Sequence, residues 1–461
     1  MYASLPTPRM GQSGLPTCTI HSNTGIIGQY SGISRGKVRN FEPLKVELAY
    51  GDGRLPLELP EERSTVITPT FRTALPDAAR ALHKASRAPI NSGPLREIAR
   101  KNQRVAISIC DVTRAQPQQL MVRSILDELE GVIRPGDVTI LIATGTHRAN
   151  TEDEVRGMLG DEIASACRVV NHVARDESSL DDLGVIGNGV PVKLNREWTG
   201  ANLRITTGFV EPHFFAGFSG GPKMVAPGLA GIDTVLKLHD ASRIGHPNAT
   251  WGVIEGNPVH DDVRAIARAA PPDFSVDVLL NSDQQVTAVY AGELFAMHAA
   301  ACAQAKLDSM QAIARPFDLV ITSNSGYPLD QNLYQAVKGM SAAARVVRPG
   351  GLIVCAAECR DGIPNHGSYS SILTSQPDPP SLLEMIETSG YSEPDQWQVQ
   401  IQAKIQMGAR VLVKSDRLSE SQLNAAHFET IDDIQSVIDA AGSDASICVL
   451  PEGPQTIPFI G

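Results

Sequence analysis

The feature that most constrains this chain is a pattern that occurs three times: a continuous β-branched apolar run that passes at once into a short loop of small, polar, chemically active residues. Arg104-Val105-Ala106-Ile107-Ser108-Ile109-Cys110 enters Asp111-Val112-Thr113-Arg114. Val138-Thr139-Ile140-Leu141-Ile142-Ala143 enters Thr144-Gly145-Thr146-His147-Arg148, and Leu203-Arg204-Ile205-Thr206-Thr207 enters Gly208-Phe209-Val210-Glu211-Pro212-His213. Apolar strands alternating with helical stretches predict βαβ units and a parallel sheet covered on both faces. Ligands of such sheets lie beyond the carboxyl ends of the strands, so the three loops are expected to converge on one crevice.

A second unit of the same kind is expected from Phe317-Asp318-Leu319-Val320-Ile321-Thr322, a helical stretch from Tyr334 to Val347, and the return Leu352-Ile353-Val354-Cys355. Ala291 to Ala314 reads as a long alanine-rich helix connecting the two. The chain has 461 residues, against ~150 for a typical domain. The fold class is therefore α/β, with two α/β domains, parallel-type sheets and the active site in the cleft between them. Residues 41–300 are assigned to the N-terminal domain and 301–461 to the C-terminal one. Residues 1–40, rich in Gly, Ser, Thr and Pro, read as a flexible extension without chemistry. Short strands are expected at Val46–Tyr50 and Ser64–Ile67, and a helix at Ala78–Arg87.

Charge narrows the partners. With 40 Lys+Arg against 51 Asp+Glu the net charge is −11, which argues against nucleic acid and anionic membranes and leaves a small molecule as the expected ligand. No apolar run approaches the ~20 residues that cross a bilayer, and no secretory signal pattern opens the chain. The seven cysteines are scattered, a pattern of free thiols in a reducing compartment, so a cytoplasmic protein is expected. Cys355 and Cys359 follow a strand-like run and read as buried thiols rather than a zinc knuckle.

The densest chemistry lies in Glu211-Pro212-His213-Phe214-Phe215-Ala216-Gly217-Phe218-Ser219-Gly220-Gly221-Pro222-Lys223. Its glycines permit close backbone approach and would leave N–H groups for a phosphate, with a lysine closing the loop. It resembles a P-loop only superficially, because Pro222 precedes the lysine and Met224 follows it, which argues against an NTPase. Gly184-Val185-Ile186-Gly187-Asn188-Gly189 misspaces the dinucleotide fingerprint and reads as a turn. His147 and His213 follow two of the strands and suit acid–base exchange near neutrality. His239, in a helical stretch after the glycine loop, is either a structural histidine or a single metal ligand whose partners come from a cofactor. Arg114 and Lys338 offer positive charge for a carboxylate, and Asp111 either accepts from a hydroxyl or pairs with Arg114.

Together, Asp111-Val112-Thr113-Arg114, Gly145-Thr146-His147-Arg148, the Glu211 to Lys223 run, His239 and Tyr334-Gln335-Ala336-Val337-Lys338-Gly339 resemble the lactate racemase family of nickel-pincer enzymes, in order and approximate spacing, over nearly the whole chain after residue 40. The resemblance implies nickel and a pyridinium-3,5-bisthiocarboxylic acid mononucleotide, attached to Lys223 through a thioamide, with His239 completing a square-planar nickel site. It implies a glycine loop (Gly217, Ser219, Gly220, Gly221) cradling the nucleotide phosphate, with Asp111 and Thr113 nearby. His147 and His213 would be the two bases, one per enantiomer of a 2-hydroxy acid. Arg114, Gln335 and Lys338 would hold its carboxylate, and Tyr334 would line the same wall. Separate biosynthetic enzymes would supply the pincer.

Softer matches are Glu358-Cys359-Arg360-Asp361-Gly362, His366-Gly367 and Trp397. The substrate is left as lactate, malate or a larger hydroxy acid. An extra cation would favour a dicarboxylate, and His172, Arg148 and Lys237 are the candidates. Two other readings stand beside the racemase: a non-catalytic carrier of a nucleotide or metallocofactor, and a zinc hydrolase with His147, His213 and His239 as ligands.

Overall fold

Two six-stranded sheets organise the chain, and their central strands are the apolar runs identified above. The computed structural model describes residues 43–461 apart from Phe71 and His366. The expected extension over 1–40, Cys18 and His366 therefore lie outside the described residues, which belong to one compact unit.

The first sheet runs, edge to edge, Val286–Gly292, Phe274–Leu280, Leu203–Phe209, Val105–Cys110, Val138–Ala143 and Arg168–Asn171. Its neighbours are parallel except at the Val286–Gly292 edge. Every residue of Val105–Cys110 is buried, as a central strand covered on both faces must be. Side chains alternate between those faces. Ile107, Ile109, Ile140 and Ile142 pack with Met121, Ile125 and Leu159 on one side, while Ala106 and Leu141 pack with Val263, Ile266 and Met297 on the other. Each large aliphatic buried this way contributes about 1.5–3 kcal/mol against the entropy of ordering the chain.

The strand order of this sheet reverses between Val105–Cys110 and Leu203–Phe209. From the first of these the chain steps outward through Val138–Ala143 to Arg168–Asn171, then returns on the other side. Such a switch point is where an open α/β sheet leaves a crevice. The two strands flanking it feed Asp111 to Arg114 and Glu211 to Lys223. Val138–Ala143 pairs in register with Val105–Cys110 up to Cys110↔Ala143, so the loop carrying His147 leaves at the same height.

The second sheet is parallel throughout, in the order Glu429–Thr430, Arg410–Lys414, Val347–Ala356, Phe317–Ser323, Ile447–Leu450, Ser64–Val66. Helix Leu333–Ala344 follows its central strand Phe317–Ser323 and carries Tyr334, Gln335 and Lys338. One difference from the sequence reading concerns residues 44–66. The hairpin Leu44–Tyr50/Gly53–Leu59 packs its Leu48, Leu57 and Leu59 against Leu319, Ile321 and Val354, and Ser64–Val66 adds an edge strand beside Ile447–Leu450. These residues precede the first sheet in the chain but belong to the second, and a three-residue edge strand carries no sign of its partner.

A second difference concerns the alanine-rich stretch. The helix spans only Leu294–Ser309, between strands Val286–Gly292 and Met310–Ile313, with the Glu293 carboxylate accepting Ala296 N–H at its start (2.8 Å). Leu294 and Met297 pack beneath the first sheet, and Ala301, Cys302 and Ala305 pack against Val210, Phe218 and Leu279. It is a covering layer of that sheet rather than a free-standing link. Gly187 to Gly189 forms the turn of the hairpin Leu180–Ile186/Val190–Asn195, while Gly184 to Ile186 lie in its first strand. The six described cysteines, Cys355 and Cys359 among them, are buried and free. Among the described residues no helix is long and apolar enough to cross a membrane.

Candidate active site

At the switch point the first loop is built around the buried carboxyl of Asp111. Its Oδ1 accepts the Thr113 amide at 2.8 Å and the Thr113 hydroxyl, and its Oδ2 accepts His147 Nδ1 at 2.8 Å. Burial opposes its ionisation, but the bonds from His147 and Thr113 and the charge of Arg114 outweigh burial and bring Asp111 down to about 2. A carboxylate only accepts, so Nδ1 of His147 carries the proton and Nε2 is left as the basic nitrogen. Gln116 locks the base of this loop. Its Oε1 accepts Cys110 N–H (2.7 Å) and its Nε2 donates to Thr207 Oγ1 (2.7 Å), tying together the two strands that flank the switch point.

His213 is the opposite case. Its Nδ1 faces the Phe215 and Ala216 amides at 3.5 and 3.3 Å. Amides only donate, so the ring proton sits on Nε2. Burial, then the charges of Lys223, Lys338 and Arg114, push its pKa well below the usual range and keep the ring neutral.

Phe215 is the hub that joins the remaining groups. Its ring meets the His213 ring edge-on at 4.5 Å and the His239 ring at 5.3 Å, and Lys223 Nζ stands 5.9 Å from its centre. His239, at the end of helix Ile232–Leu238, donates Nδ1–H to Val235 O at 2.7 Å, which leaves Nε2 unprotonated. Burial lowers its pKa to about 4. Trp397 packs against the same ring at 4.6 Å and donates Nε1–H to Tyr334 OH at 3.2 Å.

Arg114, Glu211, Lys223 and Lys338 act on one another's charge, although they come from both sheets. Burial, then the charge of Arg114, lowers Lys223 from the ordinary 10.5 to about 7. The same two causes in the same order lower Lys338 to about 8. Gln335 lies in the first turn of helix Leu333–Ala344, where Asn332 Oδ1 caps its N–H at 3.0 Å.

The glycine loop differs from the sequence reading. Gly221 N–H is donated to Asp277 Oδ2 (2.8 Å), Ser219 N–H to Glu211 O (2.9 Å) and Lys223 N–H to Gly220 O (3.1 Å). The Ser219 hydroxyl accepts Glu211 N–H and donates to Phe209 O. These three N–H groups are bonded inside the fold and are not free for a phosphate. The glycines instead allow close packing: a Cβ at Gly217 would stand 2.4 Å from Val253 O.

The sequence comparisons bear on the same residues. The lactate racemase N-terminal domain family matches residues 50–252 and the lactate racemase C-terminal domain family matches residues 312–457. The lactate racemase of Thermoanaerobacterium thermosaccharolyticum is 33% identical over 422 residues, covering 89% of this chain and 98% of the relative. The chain belongs to the lactate racemase family. It is an isomerase of the racemase type. The lactate racemase of Lactiplantibacillus plantarum is 36% identical over 372 residues, covering 79% of this chain and 87% of that protein. The solved lactate racemase apoprotein from T. thermosaccharolyticum superposes with a TM-score of 0.83 at 31% identity, over 90% of this chain and all of that one. A Thermotoga maritima structure, with a TM-score of 0.63 at 17% identity, over 85% of this chain and all of that one, shares the fold alone.

Several candidates lie elsewhere in the racemase. His172 is a core histidine, bonded to Ala230 O at 2.9 Å and Asn195 at 3.2 Å. Arg148 pairs with Glu154 at 2.6 Å and Lys237 with Asp240 at 2.8 Å. Arg360 pairs with Glu358 and Asp52, stacking on Tyr327 at 4.0 Å. Among the described residues no three His, Cys, Asp or Glu side chains converge as a metal-holding set, so the three-histidine zinc reading lacks its site. Gln116 and Asp277 were missed in the sequence. Asp277 had a signal: a carboxylate in the middle of the apolar strand Phe274–Leu280.

Proposed function

We propose that this protein racemises a 2-hydroxy acid using nickel and a pyridinium-3,5-bisthiocarboxylic acid mononucleotide held by Lys223 and His239. The carrying observation is the pairing of two groups around Phe215: the Lys223 amine 5.9 Å from the ring centre, and the His239 imidazole 5.3 Å from it, whose Nδ1 bond leaves Nε2 free for a metal. That donor set fits the group. Lys223 supplies a nucleophilic nitrogen for covalent attachment, and His239 supplies one ligand oriented by its bond to Val235 O, as metal-binding histidines usually are. When bound, the group supplies a reversible acceptor for the hydride at C2, chemistry that no side chain here provides.

The side chains do the rest. Arg114 and Lys338, aided by Gln335, hold the substrate carboxylate and retain the keto acid between half-reactions. His147 takes the hydroxyl proton at Nε2, with Asp111 stabilising the resulting imidazolium. His213 serves the opposite hand, but in the arrangement described its Nε2 carries the proton and must exchange it before acting as a base. The active site then lies in a cleft between Asp111 to Lys223 and the helix carrying Lys338, with Tyr334 and Trp397 as a wall. The other candidate cations are committed elsewhere, which favours a monocarboxylic acid such as lactate, the substrate in the relatives' names.

The test is racemisation of enantiopure 2-hydroxy acids by protein produced with nickel and pincer-making enzymes. H147A and H213A should each abolish racemisation while leaving cofactor bound. In single turnover the two variants should fail on opposite enantiomers. Racemisation by the double variant at wild-type rate would overturn the assignment.

A further inference from the structure

Packed against the glycine loop lies a buried polar layer that the proposed reaction does not use. Asp277, in the strand Phe274–Leu280, and His298, in the helix Leu294–Ser309, are almost wholly enclosed. Asp277 Oδ2 accepts Gly221 N–H at 2.8 Å, and its Oδ1 is buried without a partner. His298 donates Nε2–H to Ser219 O at 2.9 Å, and its ring stacks on His260 at 6.1 Å.

The loop glycines are fitted to this layer. A Cβ at Gly208 would stand 2.8 Å from Asp277 Oδ1, and one at Gly220 would stand 3.0 Å from Asp277 Oδ2. One at Gly221 would meet the His298 ring at 2.4 Å, and Gly221 also holds φ of +49°, which disfavours any side chain. A carboxyl buried in a sheet with an orphaned oxygen is costly to keep for packing alone.

We propose that Asp277 and His298 are positioning residues for Lys223. Their two bonds, to Gly221 N–H and Ser219 O, fix the start of the turn Gly221–Met224 and so hold the lysine amine in its enclosed site beside Phe215. Asp277 is fully buried, and that burial raises its carboxyl to about 7. The functional meaning rests on Lys223 as the attachment point, but the test below needs no cofactor and so succeeds or fails independently of adduct formation.

The experiment uses the full chain without cofactor. Lys223 acetylation by acetic anhydride is followed against pH by peptide mapping, together with hydrogen exchange over residues 217–224. Of the charged and titratable groups facing the amine, Arg114, Glu211, Lys338, Cys110, His213, His239 and His260 are unchanged in every variant, and His298 is replaced only in H298F, which is judged on loop exchange. Wild type should show a labelling midpoint near pH 7. In D277A the midpoint should rise by about one pH unit or more toward the ordinary 10.5 as water enters, and loop exchange should quicken by about tenfold. D277N keeps an acceptor for Gly221 N–H and should restore both readouts. H298F keeps ring volume but loses the bond to Ser219 O, and should quicken loop exchange; if D277A does not fold, this variant decides. Folded D277A and H298F with wild-type midpoint and exchange, or a folded H298F at wild-type exchange where D277A fails, would overturn the proposal.

Discussion

The two sides of the site are built differently. On the first sheet hydrogen bonds hold the histidines and the loops: Asp111 to Thr113 and His147, His213 to the amides of Phe215 and Ala216, His239 to Val235 O, Gly221 to Asp277. On the second sheet, Tyr334, Gln335 and Lys338 hang from one helix, which is placed largely by burial of Leu333, Ala336, Val337 and Met340. Hydrogen bonds fix atoms to fractions of an ångström, whereas apolar packing fixes a helix and leaves long side chains to adapt. Under the proposed function, the chemistry, which needs fixed proton positions, would fall to the first sheet, and the second sheet would share the grip on the substrate with Arg114.

Substitutions sharpen this contrast. The largest effect is expected from K223A, which should abolish the covalent adduct and reduce racemisation to background without altering the fold, checked by intact mass and thermal melting. An adduct retained at another lysine would move the attachment site and break the comparison.

Next is D111N, which removes the carboxylate that fixes the His147 tautomer. It should lower kcat by roughly 100-fold or more with little change in KM, read by steady-state kinetics. The same variant carries a pH signature. The Asp111 carboxyl lies at about 2 in the fold against 3.8 ordinarily, a depressed acid. Its stabilising contribution, roughly 2 kcal/mol, is therefore fully present above about pH 4 and is lost as pH falls through about 2. The stability gap between wild type and D111N should narrow over that window in denaturant titrations.

K338M should act mainly on KM, raising it by roughly 10- to 100-fold, while K338R should retain most affinity. Because Lys338 sits near 8, substrate affinity should fall as pH rises above 8 in wild type and stay level in K338R. The smallest effect is expected from W397F. It keeps most of the ring packing on His239 but loses the 3.2 Å bond to Tyr334 OH, and a loss of a few-fold in kcat/KM is expected.

Much of the fold was legible because buried parallel strands announce themselves. Val138–Ala143 was bounded correctly from its β-branched run alone, and Phe317–Ser323 within one residue. What failed was pairing at a distance: Ser64–Val66 belongs to a sheet whose other strands begin some 250 residues later. The alanine-rich helix was drawn too long, because alanine carries no stop signal and the strand at Met310–Ile313 is too short to show a period.

Site legibility followed the same logic. Asp111, His147 and Lys223 were singled out by the composition of the segments they stand in, whereas Gln116 and Asp277 make bonds to residues far along the chain that no local pattern shows. The glycines of the loop were read as serving a ligand, but in the fold they serve close contacts with Val253, Asp277 and His298. Sequence shows that a glycine is wanted and not what presses against it.

The most direct test of the central claim, that Lys223 and His239 carry the redox group, is intact mass with a peptide map of Lys223 and nickel analysis, on protein produced with pincer-making enzymes and nickel. The account predicts a mononucleotide-sized adduct on Lys223 with about one nickel per chain, and H239A keeping the adduct while losing the metal. An unmodified Lys223 without nickel, beside a control racemase loaded under the same conditions, would contradict it.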